Sequence, residues 1–242
     1  MEKRRFFIDK TEGDEASLTG EEFAHARTVL RLEEGSEVVL LDNSGREYDG
    51  IVTSVGRREM RVHIVGSRIG EREAATDVKL LFGFLKNADR NEFAVQKATE
   101  LGVNSIGLFS SAYSSAYIGE NKLERLRRVA RESAKQCLRS RAPEIVYYPT
   151  LQEALNAGMG YRNKLFACEF LHENQADIAA IQGPTVLAVG SEGGFTRAEF
   201  EDALSRGYKG VTLGKRILRA ETAAVALTAA VMFCLGEWGG RA

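Results

Sequence analysis

The chain has 242 residues, with 33 lysines and arginines against 34 aspartates and glutamates and 44% hydrophobic residues. That composition excludes a disordered or collagen-like chain, and at about 100–200 residues per domain the length suits one large or two modest domains. No apolar run reaches the roughly 18 residues of a membrane helix, and Met1-Glu2-Lys3-Arg4-Arg5-Phe6 lacks the apolar core of a signal peptide, so a cytoplasmic protein with no membrane partner is expected.

Residues 1–70 read as short strands with turn punctuation, at 5–8, 37–41, 47–55 and 60–65, with Asn43-Ser44-Gly45 as a hairpin signal between two of them. One helix fits 19–32, where Thr19 would cap and Glu22, three residues on, would complete a capping box. By strand count this is a small β-rich, barrel-like domain. Beyond a polar stretch at 66–77 the pattern changes. Nearly continuous apolar runs at 78–85, 105–110, 144–148, 164–168, 185–189 and 210–213 have the character of strands buried on both faces. Helical patterns separate them at 90–101, 122–139, 197–205 and 221–235, the first closed by Gly102. Strands alternating with helices predict a mostly parallel α/β sheet covered on both sides.

Charge is unevenly spread. Residues 120–141 carry eight basic side chains (Lys122, Arg125, Arg127, Arg128, Arg131, Lys135, Arg139, Arg141) against three acidic ones, and 206–219 carry five against none. Such stretches form either an electrostatic footprint for a polyanion or a solvated helix face. Cys137, Cys168 and Cys234 form no CxxC, and His25, His63 and His172 sit in no metal or nucleophile motif, so neither a disulfide framework, a metal site nor a catalytic triad is expected.

Two loops could carry chemistry. Gly190-Ser191-Glu192-Gly193-Gly194-Phe195 follows a buried strand and precedes a helix, where open α/β sheets bind ligands. It is either a cradle for a ligand or a tight strand-to-helix connection. It matches neither GxGxxG nor a P-loop, which weakens dinucleotide and triphosphate readings. Leu213-Gly214-Lys215-Arg216-Ile217-Leu218-Arg219-Ala220-Glu221-Thr222-Ala223-Ala224 holds a basic loop with two apolar residues, Ile217 and Leu218, equally readable as a pocket wall or as a loop anchored in the core.

Together these segments resemble the paired signature of the RsmE family, SPOUT-superfamily methyltransferases of uracil N3 in 16S ribosomal RNA. Lys97-Ala98-Thr99-Glu100-Leu101-Gly102-Val103, Ala134-Lys135-Gln136-Cys137-Leu138-Arg139 and the N-terminal Arg4-Arg5-Phe6-Phe7 resemble further family motifs, in the same order along the chain. The resemblance implies an N-terminal PUA-like β-barrel over 1–70 that binds RNA. It also implies a SPOUT α/β domain over 75–242 with a deep C-terminal trefoil knot, dimerising through that domain. S-adenosylmethionine would be held by Gly190, Ser191, Glu192 and Gly193 in one loop, Leu213, Gly214, Ile217, Leu218 and Arg219 in the other, and Cys168 and Glu169 as a third wall. Ser191 stands where the family has proline, and Lys135 where it has an acid.

Methylating uracil N3 requires its proton to leave, hence a base or a cation that stabilises the imide anion. Arg139 and Arg219 are the candidates for that cation, and Glu192 and Glu221 for the proton acceptor, unless these acids only brace the loops. Arg4, Arg5, Arg128, Arg131, Lys135, Arg139, Lys215 and Arg216 would grip the RNA backbone of ribosomal RNA or the small ribosomal subunit. Competing readings are a non-catalytic RNA-binding protein of the same fold and a Rossmann-like enzyme acting on a small metabolite.

Overall fold

The computed structural model describes residues 3–113, 118–168 and 175–238. The chain divides into two compact units, Met1–Glu73 with Ala134–Ala142, and Ala74–Ser133 with Pro143–Ala242.

The first unit is built on a five-stranded sheet in the order β1-β3-β4-β5-β2, formed by β1 (Arg4–Phe7), β2 (Glu15–Leu18), β3 (Glu37–Leu41), β4 (Arg46–Val55) and β5 (Met60–Ile69). Only β1 with β3 is parallel. Where a barrel is expected from strand count, the strands hydrogen-bond in an open order whose edges are β1 and β2. Strand β2 lies outside the strands expected from pattern, since its four residues are too few for a periodicity to show. Between β3 and β4, Asn43 and Gly45 have φ of 64° and 94°, the left-handed geometry a tight hairpin demands. Phe6, Leu18, Phe23, Leu40, Val52 and Met60 lie in its core.

The helix expected over 19–32 is broken: α1 (Gly20–Ala24) runs straight into a π-helical turn at His25–Val29. The capping box does not form. Thr19 makes no side-chain cap bond, and the Glu22 carboxylate instead accepts from Lys135 Nζ at 2.9 and 3.1 Å and from the Phe7 N–H at 3.4 Å. An ammonium partner outcompetes a neutral backbone donor.

The second unit is a six-stranded parallel sheet in the order β11-β9-β10-β6-β7-β8, made of β6 (Val78–Gly83), β7 (Ser105–Phe109), β8 (Glu144–Tyr148), β9 (Asn163–Ala167), β10 (Thr185–Val189) and β11 (Lys209–Val211). Alternate residues serve opposite faces. Leu80, Phe82, Leu187 and Val189 join the apolar cluster containing α2 (Ala88–Glu100), much of α3 (Glu120–Gln136) and α6 (Ala220–Cys234). Leu81, Val186 and Ala188 join the cluster containing α4 (Leu151–Ala157) and α5 (Arg197–Ser205). This double burial is why the strands read as unbroken apolar runs.

Helix ends follow local chemistry. Asn87 caps α2 by accepting from the Arg90 N–H at 3.2 Å, and Gly102, with φ 98°, follows its C-terminus. Thr196 and Glu199 form a full capping box on α5. Helix α4, capped by Thr150, escaped the sequence reading because seven residues make only two turns.

Candidate functional site

The carboxyl ends of β9, β10 and β11 open into one cleft of about 690 Å³, within the roughly 300–1,000 Å³ typical of small-molecule sites. Strand β10 is central, between β9 and β6, and the chain proceeds from β6 to β8 on one side while β9 and β11 lie on the other. That reversal of strand order is where parallel sheets leave a crevice.

The loop after β10 is tightly built. The Gly194 N–H donates to the Ser191 carbonyl at 2.9 Å, with Gly194 at φ 66°. A Cβ on Gly190 would lie 3.0 Å from the Gly194 backbone, and one on Gly193 only 2.5 Å from Tyr113 Cβ. At Gly83, the last residue of β6, a Cβ would come within 2.4 Å of the Ser191 nitrogen, so this glycine lets the loop settle onto the strand. Glu192 accepts from the Lys86 N–H at 3.3 Å, tying the loop to the segment after β6. Buried Glu199 accepts from the Ala112 N–H at 3.0 Å and from Thr196, fixing the segment after β7 to the start of α5.

The second loop turns at Gly214, φ 99°, and carries Lys215, Arg216 and Arg219 exposed, with Ile217 89% exposed and Leu218 half-buried. Arg219 occupies the N-cap position of α6, and the Ala223 N–H donates to its carbonyl at 2.8 Å. Glu221, in the first turn, is buried; its Oε1 lies 3.6 Å from Arg90 Nε, and its Oε2 has no hydrogen-bond partner among the described residues.

Cys168, Gly190, Ser191, Glu192, Gly193, Leu213, Gly214, Ile217, Leu218 and Arg219 all line this cleft, as do Lys215, Arg216 and Glu221; Glu169 lies outside the described residues. Two loops distant in sequence thus share one surface. Arg90, on a helix expected over 90–101 but not singled out as a site residue, also lines it. Its only signal was position: it opens the helix that follows β6, beside the cleft's central strand.

Several residues expected to grip RNA are placed differently. Arg139, 3% exposed, donates from Nε and Nη2 to Glu73 Oε2 at 3.1 and 2.8 Å, while Glu73 Oε1 accepts the Ser140 and Arg141 N–H groups at 2.9 Å each. Lys135 is buried against Glu22, and Arg5 meets Glu47 at 2.5 Å. These three belong to the first unit's interior ion pairs, not to a free basic surface. On α3, Arg131 pairs with Glu124 at 2.8 Å, Arg127 with Glu120 and Glu124, and Arg125 with Glu92 at 2.6 Å. Arg4, Arg128, Lys215 and Arg216 are exposed.

The glycine-cradled cleft, its apolar loop residue and its unsatisfied carboxylate suit a small, charged, partly apolar ligand. Among the described residues no group of three or more His, Cys, Asp and Glu could hold a metal ion, and no helix is long and apolar enough to cross a membrane.

Comparison with known proteins gives this cleft its context. The family model of the RNA methyltransferase domain matches residues 72–232, and that of the RNA methyltransferase PUA domain matches 18–65. Ribosomal RNA small subunit methyltransferase E of Mesomycoplasma hyopneumoniae is 30% identical over 226 residues, covering 92% of this chain and 96% of that protein. Its counterpart from Bacillus subtilis is 29% identical over 248 residues, covering 95% and 96%. The crystal structure of the Neisseria gonorrhoeae enzyme of the same name, bound to S-adenosyl methionine, superposes with a TM-score of 0.87 at 26% identity, covering 97% of this chain and 98% of that one. With one unit matching a PUA domain and the other carrying the cleft inside the methyltransferase match, the chain belongs to the ribosomal RNA small subunit methyltransferase E family.

Proposed function

We propose that the chain transfers a methyl group from S-adenosylmethionine to N3 of a uridine in 16S ribosomal RNA. The observation that carries this reading is the meeting of the 190–195 and 212–219 loops in one cleft at the carboxyl ends of β9 to β11. Backbone amides freed by Gly190, Gly193 and Gly214 would hold the adenosine, with Leu213, Ile217 and Leu218 against its apolar surface. The bound cofactor supplies a methyl carbon that is already electrophilic.

The chain's own work is alignment and stabilisation of charge. Arg219, exposed at the start of α6, can face the carbonyl–N3–carbonyl edge of the base and lower the cost of its imide anion, the proton leaving to water. Arg139 is given no such role, since Glu73 already holds it. Glu192, fastened to the Lys86 N–H, braces the loop instead of taking the proton. Lys215, Arg216, Arg4 and Arg128 are the exposed cations for RNA phosphates, with the PUA-like unit as a further RNA surface.

This reading carries with it a SPOUT-type second domain, knotted at its C-terminal end, and a cytoplasmic homodimer. Exposed Phe93, Phe233 and Trp238 on or beside the packed helices α2 and α6 support the dimer, which sedimentation would test. The deciding experiment is calorimetric titration with S-adenosylmethionine, NAD and ATP, followed by methylation of small ribosomal subunits and mapping of the modified base. Binding of S-adenosylmethionine alone and methylation at a uridine N3 are expected. Absence of binding by the folded dimer would overturn the reading.

A further inference from the structure

We infer that Arg90 and Glu221 form a charge-paired receptor for the amino-acid end of the cofactor, Glu221 taking its α-ammonium and Arg90 its α-carboxylate. The inference rests on the cofactor reading above and adds residues and a division of labour to it. Three observations lead to it. Glu221 is more than nine-tenths buried yet lines the cleft, and its Oε2 has no hydrogen-bond partner among the described residues. Leaving a buried carboxylate oxygen unsatisfied is costly, so a donor is expected there in the working complex. Its other oxygen stands 3.6 Å from Arg90 Nε, an ion pair longer than a hydrogen bond, so neither group is saturated by the other. Arg90 itself is 35% exposed, lines the same cleft, and Glu221 is its ion-pair partner among the described residues.

The chemistry of the ligand decides which part meets this pair. The ribose and adenine carry no formal charge. The sulfonium is cationic but has no N–H or O–H to donate, so it cannot satisfy Glu221 Oε2. Only the α-amino acid end offers a charged donor and a charged acceptor together, complementary to a carboxylate beside a guanidinium. A loose internal pair is replaced by two charge-assisted contacts, while the positive charge of Arg90 stays matched throughout. Glu221 is fixed for this task by the first turn of α6 and Arg90 by the first turn of α2, two helices that pack on each other.

The test compares three ligands sharing the adenosine: S-adenosylmethionine, S-adenosylhomocysteine, and 5′-methylthioadenosine, which lacks the amino-acid end. Calorimetry on the wild-type chain, Arg90→Gln and Glu221→Gln should show each variant weakened at least tenfold for the first two ligands and within twofold of wild type for the third. Arg90→Lys, which keeps a cation without the fork, should lose less than Arg90→Gln. Thermal unfolding of each variant reports whether the fold is retained. Equal losses for all three ligands would make the pair a structural brace and overturn the inference, as would unchanged affinity for all three. A wild-type chain that binds none of them would overturn the cofactor reading itself, a result distinct from either.

Discussion

In the 120–141 stretch five of the eight cations are matched with carboxylates: Arg139 with Glu73 and Lys135 with Glu22 inside the first unit, and, on α3, Arg125 with Glu92, Arg127 with Glu120 and Arg131 with Glu124. In the 212–219 loop, Lys215, Arg216 and Arg219 stand exposed, with no ion pair among the described residues. Both segments are basic in sequence, yet in one most cations are paired within the fold and in the other they line the open cleft. Local charge therefore does not distinguish a structural cation from a binding one; the partner carboxylate and the depth of burial do.

The contrast can be broken from its structural side first. Arg139→Ala should cost about 3–5 kcal/mol, because it strands the Glu73 carboxylate among partly buried groups, and urea unfolding would show it. If the stability loss stays below about 1 kcal/mol, the level of an exposed pair, Arg139 is not an interior anchor. Gly83→Ala should cost about 1–3 kcal/mol by overpacking against the Ser191 nitrogen. The same change should weaken S-adenosylmethionine binding at least tenfold by displacing the 190–195 loop, which calorimetry would measure.

Acid should next affect the paired arginines selectively. Burial pushes the Glu47 carboxyl up, but hydrogen bonds and charge from Arg5 and Arg68 outweigh it and hold it below its ordinary value of 4.5. A depressed folded value means that this stabilisation is complete above pH 4.5 and is lost as pH falls through the lowered value. The stability difference between wild type and Glu47→Gln should therefore shrink as the pH falls below 4.5, measured by urea midpoints; a constant difference would remove the carboxylate from the account.

The smallest stability effect belongs to the cleft cations. Lys215→Ala with Arg216→Ala should leave stability within about 0.5 kcal/mol. The pair should nonetheless reduce the slope of RNA affinity against salt by about 1.4–1.8, the counterion release of two phosphate contacts. An unchanged slope would take these two side chains off the RNA surface.

Much of the architecture was legible in the sequence because it is local or periodic. The strands buried on both faces announced themselves as apolar runs, Gly102 marked the end of α2, and Asn43 to Gly45 marked a hairpin. The helix expected over 19–32 is shorter because α1 gives way to a π-helical turn at His25–Val29, and the acid of its capping signal is taken by Lys135, 113 residues away. Elements β2 and α4 were missed because they are too short to express a period. At the site, the two loops could be named from composition and motif order, whereas Arg90 could not, since a charged residue in a first helical turn has nothing unusual about it.

The sequence by itself determined the two kinds of layer, the glycine-rich and basic loops, and membership of a recognisable family, all of which depend on spacing along the chain. Only the tertiary structure decided that the two loops close one cleft and that Arg90 reaches Glu221. It also decided that Arg139, Lys135 and Arg5 are interior ion-pair members. Burial and charge pairing depend on which residues become neighbours in space, and a carboxylate's competition between distant partners is settled by strength of interaction, not by separation in sequence.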